Sequence, residues 1–350
     1  NALKLLNEKG EFLNGVEGSK ILEIAEAEGF DFADVDSLGE ITENDAYMDI
    51  HIDEVLAMDL VDVEAVKAAK FKVVVDGVNS SGGIIVPKLL ELMGVEVVEL
   101  YCDPTGHFPH NPEPLKEHLT DISNLVVAEK ADLGIVVDPD VDRLAFISED
   151  GEMFGEEYTL VAVADYVLSK TPGNTVSNMS SSRALRDVTN KHNGTYEASA
   201  VGEVNVVELM KKNNAVIGGE GNGGIIYPTS HYGRDSMVGI ALFLTHLANK
   251  KMKVSELRAS YPEYYMSKNK IELTPQIDVD AILEAMTDRY QADEIQTIDG
   301  VKIDFADNWV HLRKSNTEPI IRIYTEAATQ QIADDLAQKI INEIKVIAGI

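Results

Sequence analysis

The sequence predicts an α/β protein: strand–helix–strand units laid end to end, closed by an α+β domain with an antiparallel sheet. Three observations carry this. "FKVVVDGVNSSGGIIVPKLLELMGVEVVEL", from residue 71, reads as strand, Gly/Ser loop, helix and strand, a βαβ unit whose strands run parallel. "NTVSNMSSSRALRDVTNKHNGTYEAS", from residue 174, repeats that plan, with the same thirteen-residue interval from Ser81 to Gly94 and from Ser181 to Gly194. From about residue 263 the pattern changes to the alternating strands "NKIELTP", "EIQTIDGVKIDFADNWVHLRKS" and "IIRIYTEA", followed by the helix "TQQIADDLAQKIINEIKVIA".

In order along the chain, residues 1–30 hold an amphipathic helical piece, "GSKILEIAEAEG", with Gly18 before it and Gly29 after it. The acidic stretch "FDFADVDSLGEITENDAYMD" connects it to the first βαβ unit, and the Pro-containing "YPEYY" at 261–265 marks a boundary before the C-terminal strands. A length of 350 residues exceeds one ordinary core, so two to four domains of about 100 residues are expected. Hydrophobic residues make up 45% and charged residues 26%, the balance of a soluble globular protein. No stretch approaches the roughly 18 apolar residues of a membrane-spanning helix.

Sixty acidic against thirty basic residues give a net charge of −30. That field repels nucleic acid and anionic membranes at long range, and leaves small molecules as the expected partners. Local arginines and backbone amides can still capture a phosphorylated one. The single cysteine, Cys102, excludes an internal disulfide framework and fits a reducing compartment, so a cytoplasmic location is expected. The chain opens on Asn1 rather than Met, so a preceding segment is expected as well.

Three loops carry chemistry. "LGIVVDPDVDRLAFISEDGE", 133–152, sets Asp138, Asp140 and Asp142 between two apolar runs that read as strands. Alternate residues of extended backbone point the same way, so the three carboxylates can converge on a hard divalent cation such as Mg²⁺. The competing reading is a polar turn, for which Asp and Pro are common. An EF-hand fits worse, because Arg143 stands where that loop needs glycine. An aspartyl-phosphate hydrolase, with Asp138 as nucleophile, would need a downstream lysine and a second acidic loop. The second loop, "IGGEGNGGII" at 217–226, has Glu220 and Asn222 as its polar side chains. A carboxylate and an amide suit sugar hydroxyls; a glycine-rich turn between strands is the alternative. The third, "LRKSNTEPIIR" at 312–322, gathers Arg313, Ser315, Asn316, Thr317 and Arg322, a donor set for a phosphate dianion or a capped turn paired with nearby acids. Together the loops suggest an enzyme handling a sugar phosphate in a cleft between domains.

"DPDVDR", "GGEGNGG" and "RKSNTEPIIR", in that order, resemble the metal, sugar and phosphate loops of the α-D-phosphohexomutases, a family that includes phosphoglucomutase, phosphomannomutase and phosphoglucosamine mutase. The resemblance spans essentially the whole chain, with "DGVNSSGG" and "CDPTGHFPHNPEP" resembling that family's second domain. It implies three-layer α/β domains with mixed sheets and a C-terminal α+β domain around a central cleft. The remnant of domain one would be residues 1–47, domain two 48–152, domain three 153–262 and domain four 263–350. It implies interconversion of hexose 1-phosphate and hexose 6-phosphate through a phosphoserine and a bisphosphate intermediate. Mg²⁺ would be the metal and hexose 1,6-bisphosphate the activator. The metal would sit on Asp138, Asp140 and Asp142, with Arg143 on the phosphoryl oxygens. Glu220 and Asn222 would hold the sugar near Gly202 and Glu203, and Arg313, Ser315, Asn316, Thr317 and Arg322 the resting phosphate. "NALKLL" resembles the tail of the serine loop, which makes Lys4 the candidate general acid/base and puts the serine seven positions before Asn1.

The chain also departs from the pattern. Some relatives carry histidines where Gly224 and Glu203 stand, and Asn222 replaces a common serine. An acidic Glu203 beside the sugar would favour an amino substituent. Phosphoglucomutase/phosphomannomutase activity is the leading expectation and phosphoglucosamine mutase the alternative. A non-catalytic sugar-phosphate-binding fragment is the expectation from another class, because the implied nucleophile is outside residues 1–350.

Overall fold

A computed structural model describes residues 3–272, 277–314 and 320–349. Helix α1 (Gly15–Glu26) begins earlier than the glycine punctuation suggests. Asn14 accepts from the Val16 and Glu17 amides, and Glu17 reaches back to the Asn14 amide at 2.9 Å, a reciprocal cap that outweighs Gly18 inside the helix. Helices α2 (Tyr47–Leu56) and α3 (Val63–Ala69) lead into the first sheet.

That sheet contains β1 (Lys72–Asp76), α4 (Gly82–Leu92), β2 (Glu96–Leu100), α5 (Thr120–Glu129), β3 (Leu133–Val137) and β4 (Leu144–Ser148). Its strand order is β2-β1-β3-β4, parallel except for the β3/β4 hairpin. Strands β3 and β4 are buried along their whole length, as unbroken apolar runs require. Next come α6 (Glu156–Lys170), β5 (Asn174–Asn178), α7 (Ala184–Lys191), β6 (Tyr196–Ser199), α8 (Glu203–Asn213), β7 (Ala215–Glu220), β8 (Gly224–Ile226), α9 (Ser236–Lys250) and α10 (Val254–Ala259). The second sheet is ordered β6-β5-β7-β8, parallel except for its last pair. The two sheets thus share one topology, the structural counterpart of the repeated βαβ plan in the sequence. Helices α6 and α9 bury nearly every residue between them, and Phe146 of β4 stacks on Phe243 of α9 at 3.8 Å between ring centres.

The last unit contains β9 (Tyr265–Glu272), α11 (Val279–Arg289), β10 (Glu294–Gln296), β11 (Val301–Asp304), β12 (Trp309–Lys314), β13 (Ile320–Ala327) and α12 (Gln330–Ala348). Its five strands, ordered β10-β11-β12-β13-β9, are all antiparallel. Mixed sheets followed by an antiparallel α+β unit are the fold class that the sequence predicts. No described helix is long and apolar enough to cross a membrane.

Arg183, at the start of α7, joins the second sheet to the third. Its buried guanidinium donates to Asp304 at 2.9 Å, the Phe305 carbonyl at 2.7 Å and the Asn308 carbonyl at 2.9 Å. Ser180 adds a 2.8 Å bond to His311. Arg183→Met strips the partner from Asp304 and from two carbonyls, and is expected to cost about 3–5 kcal/mol. Urea unfolding at neutral pH reads that loss directly, and a change below about 1 kcal/mol contradicts the assignment.

Candidate active site

The loop that carries Asp138, Asp140 and Asp142 closes the β3/β4 hairpin. Asp138 Oδ1 accepts the Asp142 and Arg143 amides, both at 3.0 Å, and Val141 takes a left-handed conformation at φ 59°. The carboxylates of Asp138, Asp140 and Asp142 converge through this tight turn, not through the extended alternation expected from their spacing. Their oxygens lie within 4.8 Å of one another, with Asp138 and Asp142 buried and Asp140 exposed. Burial first, and then the charges of Asp142 and Asp140, push the Asp138 carboxyl up to about 7. Ser80 and Ser81 brace the turn, both donating to the Pro139 carbonyl, at 2.9 and 2.7 Å. A hard divalent cation fits these residues, since every donor is a carboxylate oxygen and the crowded negative charge calls for a positive one.

Lys4 comes to the same loop, its Nζ hydrogen-bonded to Asp140 and 3.4 Å from Asp142. Partial burial pulls its pKa down, but the bond to Asp140 and the charges of both aspartates reverse this and leave it raised. Arg143 turns from the loop to Glu113, with Nη1 2.8 Å from Oε1, and keeps Nε 3.7 Å from Asp138.

In the Glu220–Asn222 loop, the turn between β7 and β8 depends on its glycines. Gly223 has φ 85°, and a Cβ there would strike the Leu144 backbone. A Cβ on Gly221 would strike the Glu157 carboxylate. The Glu220 carboxylate is held by three donors: Asn178 Nδ2 at 2.9 Å, the Gly202 amide at 3.3 Å and Arg234 Nη1 at 2.8 Å. Asn222 Oδ1 accepts the Gly224 amide at 3.2 Å. Glu203, the first residue of α8, faces Arg234 with both oxygens, accepting its amide at 3.2 Å and its Nε at 2.9 Å. The negative charge expected to meet an amino sugar is therefore already met by arginine.

Arg313 on β12 and Arg322 on β13 stand directly opposite each other in the strand register. Like charges in that position destabilise a sheet unless an anion lies between them. Arg313 Nη1 lies 3.5 Å from the Asp299 carboxylate. Ser315, Asn316 and Thr317 lie outside the described residues.

A cleft of about 450 Å³ is lined by Arg143, Asn178, Ser180, Glu220, Asn222, Arg234, Arg313 and Arg322; Lys4, the three aspartates, Gly202 and Glu203 do not line it, although Arg234 bonds both Asp142 and Glu203. Lys268, Tyr324 and Glu157 also line the cleft, and no motif in the sequence marks these three or Arg234. Lys268 bonds Glu156 at 3.0 Å. Burial raises the Glu157 carboxyl to about 8, against the pull of Lys268 and of the Ser182 amide 2.9 Å away, with Glu156 and Glu326 adding to the rise.

The sign of the resulting pH dependence follows. A carboxyl raised above its unfolded value of about 4.5 stabilises the fold fully below that value and loses the contribution as pH rises through about 8. Stability is thus expected to fall between pH 6 and pH 9, and Glu157→Gln, which keeps the neutral shape, flattens that fall. Urea unfolding at the two pH values checks it, and equal slopes for both proteins refute it.

Three family models match in succession: phosphoglucomutase/phosphomannomutase alpha/beta/alpha domain II over residues 49–151, domain III over 155–265, and the C-terminal domain over 269–343. The chain is 36% identical over 337 residues to a phosphoglucomutase/phosphomannomutase of Thermococcus kodakarensis, covering 95% of this chain and 73% of that one. It is 30% identical to a probable phosphoglucosamine mutase of Methanopyrus kandleri, covering 99% and 76%. Among solved structures, a phosphoglucomutase/phosphomannomutase family protein of Burkholderia thailandensis shares the fold with a TM-score of 0.77 at 24% identity, over 96% of this chain and 71% of that one. Family models over most of its length, and relatives at 30% identity or more matched over more than two thirds of theirs, show that this chain belongs to the phosphoglucomutase/phosphomannomutase family of isomerases, the phosphohexomutases.

Proposed function

We propose that the chain interconverts hexose 1-phosphate and hexose 6-phosphate, with glucose or mannose as the sugar. The observation that carries this is one cleft lined by the Glu220–Asn222 loop and the facing Arg313/Arg322 pair, which the acidic turn meets through Arg143 beside it and through Arg234, bonded to Asp142 at 2.6 Å. Support for a neutral sugar comes from Glu203, whose charge is occupied by Arg234, and from the 36% identical relative named phosphoglucomutase/phosphomannomutase. On this reading residues 1–47, 48–152, 153–262 and 263–350 are the four domains, the first of them reaching the acidic turn through Lys4.

Asp138, Asp140 and Asp142 would hold Mg²⁺, which when bound offsets negative charge on a transferring phosphoryl group. Arg143, whose Nη1 is 2.8 Å from Glu113, supplies a guanidinium to phosphoryl oxygens. Lys4, kept protonated by its aspartate neighbours, is the candidate acid that gives a proton to the sugar oxygen as the phosphoryl group leaves it, and once neutral it can take the proton of the hydroxyl that attacks the next phosphoryl group. Glu220 accepts from the sugar hydroxyls and Asn222 donates to them, in either orientation of the ring. Arg313 and Arg322 hold the phosphate that is not being transferred. Ser80 and Ser81 do not take the part of the phosphoserine of the resemblance, because both hydroxyls are committed to the Pro139 carbonyl.

The test is conversion of glucose 1-phosphate to glucose 6-phosphate with Mg²⁺ and catalytic glucose 1,6-bisphosphate, read beside the intact mass. Conversion, with a mass gain of one phosphoryl group, supports the reading. Steady release of inorganic phosphate favours a hydrolase instead, and glucose 6-phosphate binding without turnover makes the chain a binding module.

A further inference from the structure

Arg234 occupies the centre of the site without a role in the chemistry above. Its side chain, only 10% exposed, contacts three carboxylates on three separate segments. Nη2 lies 2.6 Å from Asp142 in the metal loop, Nε 2.9 Å from Glu203 on α8, and Nη1 2.8 Å from Glu220 at the end of β7. A planar guanidinium has five donors in a fixed fork and can serve three acceptors at once, whereas an ammonium is a point charge. The stem of Arg234 passes where a Cβ on Gly224 would sit, so glycine at 224 makes the room for it.

The fold does not need this side chain to close. Asp235 anchors the same segment independently, capping α9 through the Met237 and Val238 amides and accepting from His51 at 2.8 Å and His231 at 2.9 Å. The turn at Gly221 is tied by Ser181 at 3.0 Å.

We propose that Arg234 is the positioning residue that orients Glu220 toward the sugar, entering the cleft through the space that Gly224 leaves open. This rests on the phosphohexomutase reading above. The sugar-reading carboxylate is held from outside its own loop, and the phosphate-reading arginines are held separately. Loss of Arg234 therefore weakens recognition of the hexose without weakening recognition of its phosphate.

Calorimetric titration of the full chain with glucose 6-phosphate and with inorganic phosphate, in Mg²⁺, tests this. Arg234→Met is expected to weaken glucose 6-phosphate binding by about tenfold to a hundredfold, with phosphate binding unchanged within about twofold. Arg234→Lys restores part of the loss, and Glu203→Gln, which loosens one anchor of the guanidinium, gives a smaller loss. Equal affinity of Arg234→Met and wild type for glucose 6-phosphate overturns the inference and leaves the function standing. So does an equal loss for both ligands, which marks a general structural role. Wild type binding neither ligand overturns the function, and the inference with it.

Discussion

Asp138→Asn is expected to abolish Mg²⁺ binding and to lower hexose phosphate conversion by about a thousandfold or more. The substitution is isosteric where the fold needs it. Asp138 Oδ1 accepts two amides at 3.0 Å, and a carboxamide oxygen can accept both, so the turn survives. What disappears is the second carboxylate oxygen, 3.7 Å from Arg143 Nε, and with it the negative charge that the group shares over both oxygens. In the absence of metal the same change removes one of three crowded charges, so the variant melts at the wild-type temperature or above it. A ligand at a hundred times its dissociation constant stabilises a fold by about 2.7 kcal/mol, which wild type should show on adding Mg²⁺ and the variant should not. Melting curves with and without Mg²⁺, beside the conversion assay, decide the matter. A variant that keeps the Mg²⁺ shift removes Asp138 from the metal site.

Local pattern made the strands, the three loops and the acidic cluster legible. Unbroken apolar runs announced β3 and β4, and alternation announced β11 to β13. The convergence of the aspartates was readable from their crowding, but its cause was not. Spacing alone suggested extended backbone, whereas Asp138 folds the loop back on itself and Val141 takes a conformation that a β-branched residue rarely adopts. Contacts distant in sequence left no signal. Arg234 meets Asp142 across 92 positions, and Arg183 meets Asp304 across 121. Nothing near either arginine separates a buried bridge from a solvated charge. Helix α11 went unread among the C-terminal strands, although Asp278 caps it through the Asp280 and Ala281 amides. Lys268 was hidden for a related reason: on an alternating strand it looks like any outward lysine, and only the pairing of β9 with β13 sets it opposite Tyr324 beside the cleft.

Arg322→Met is expected to separate phosphate recognition from sugar recognition. Arg313 and Arg322 are cross-strand neighbours, so each raises the cost of the other in the free protein, by up to about 1 kcal/mol. A dianion between them reverses that sign, because each charge-assisted hydrogen bond then contributes about 1.5–3 kcal/mol. The variant is accordingly expected to bind inorganic phosphate and glucose 6-phosphate about 10- to 100-fold more weakly, both by the same factor. Its melting temperature in phosphate-free buffer should equal or exceed that of wild type. Rising salt should weaken wild-type binding more steeply than that of the variant, which has one cation fewer to screen. Equal loss for the two ligands is the opposite of the sugar-selective loss expected at Arg234, and the two variants together assign the halves of the ligand to opposite walls of the cleft. If Arg322→Met binds phosphate as tightly as wild type, the facing arginines belong to the sheet alone. The anion would then be held by groups elsewhere in the cleft, with Lys268 and Arg143 the next to substitute.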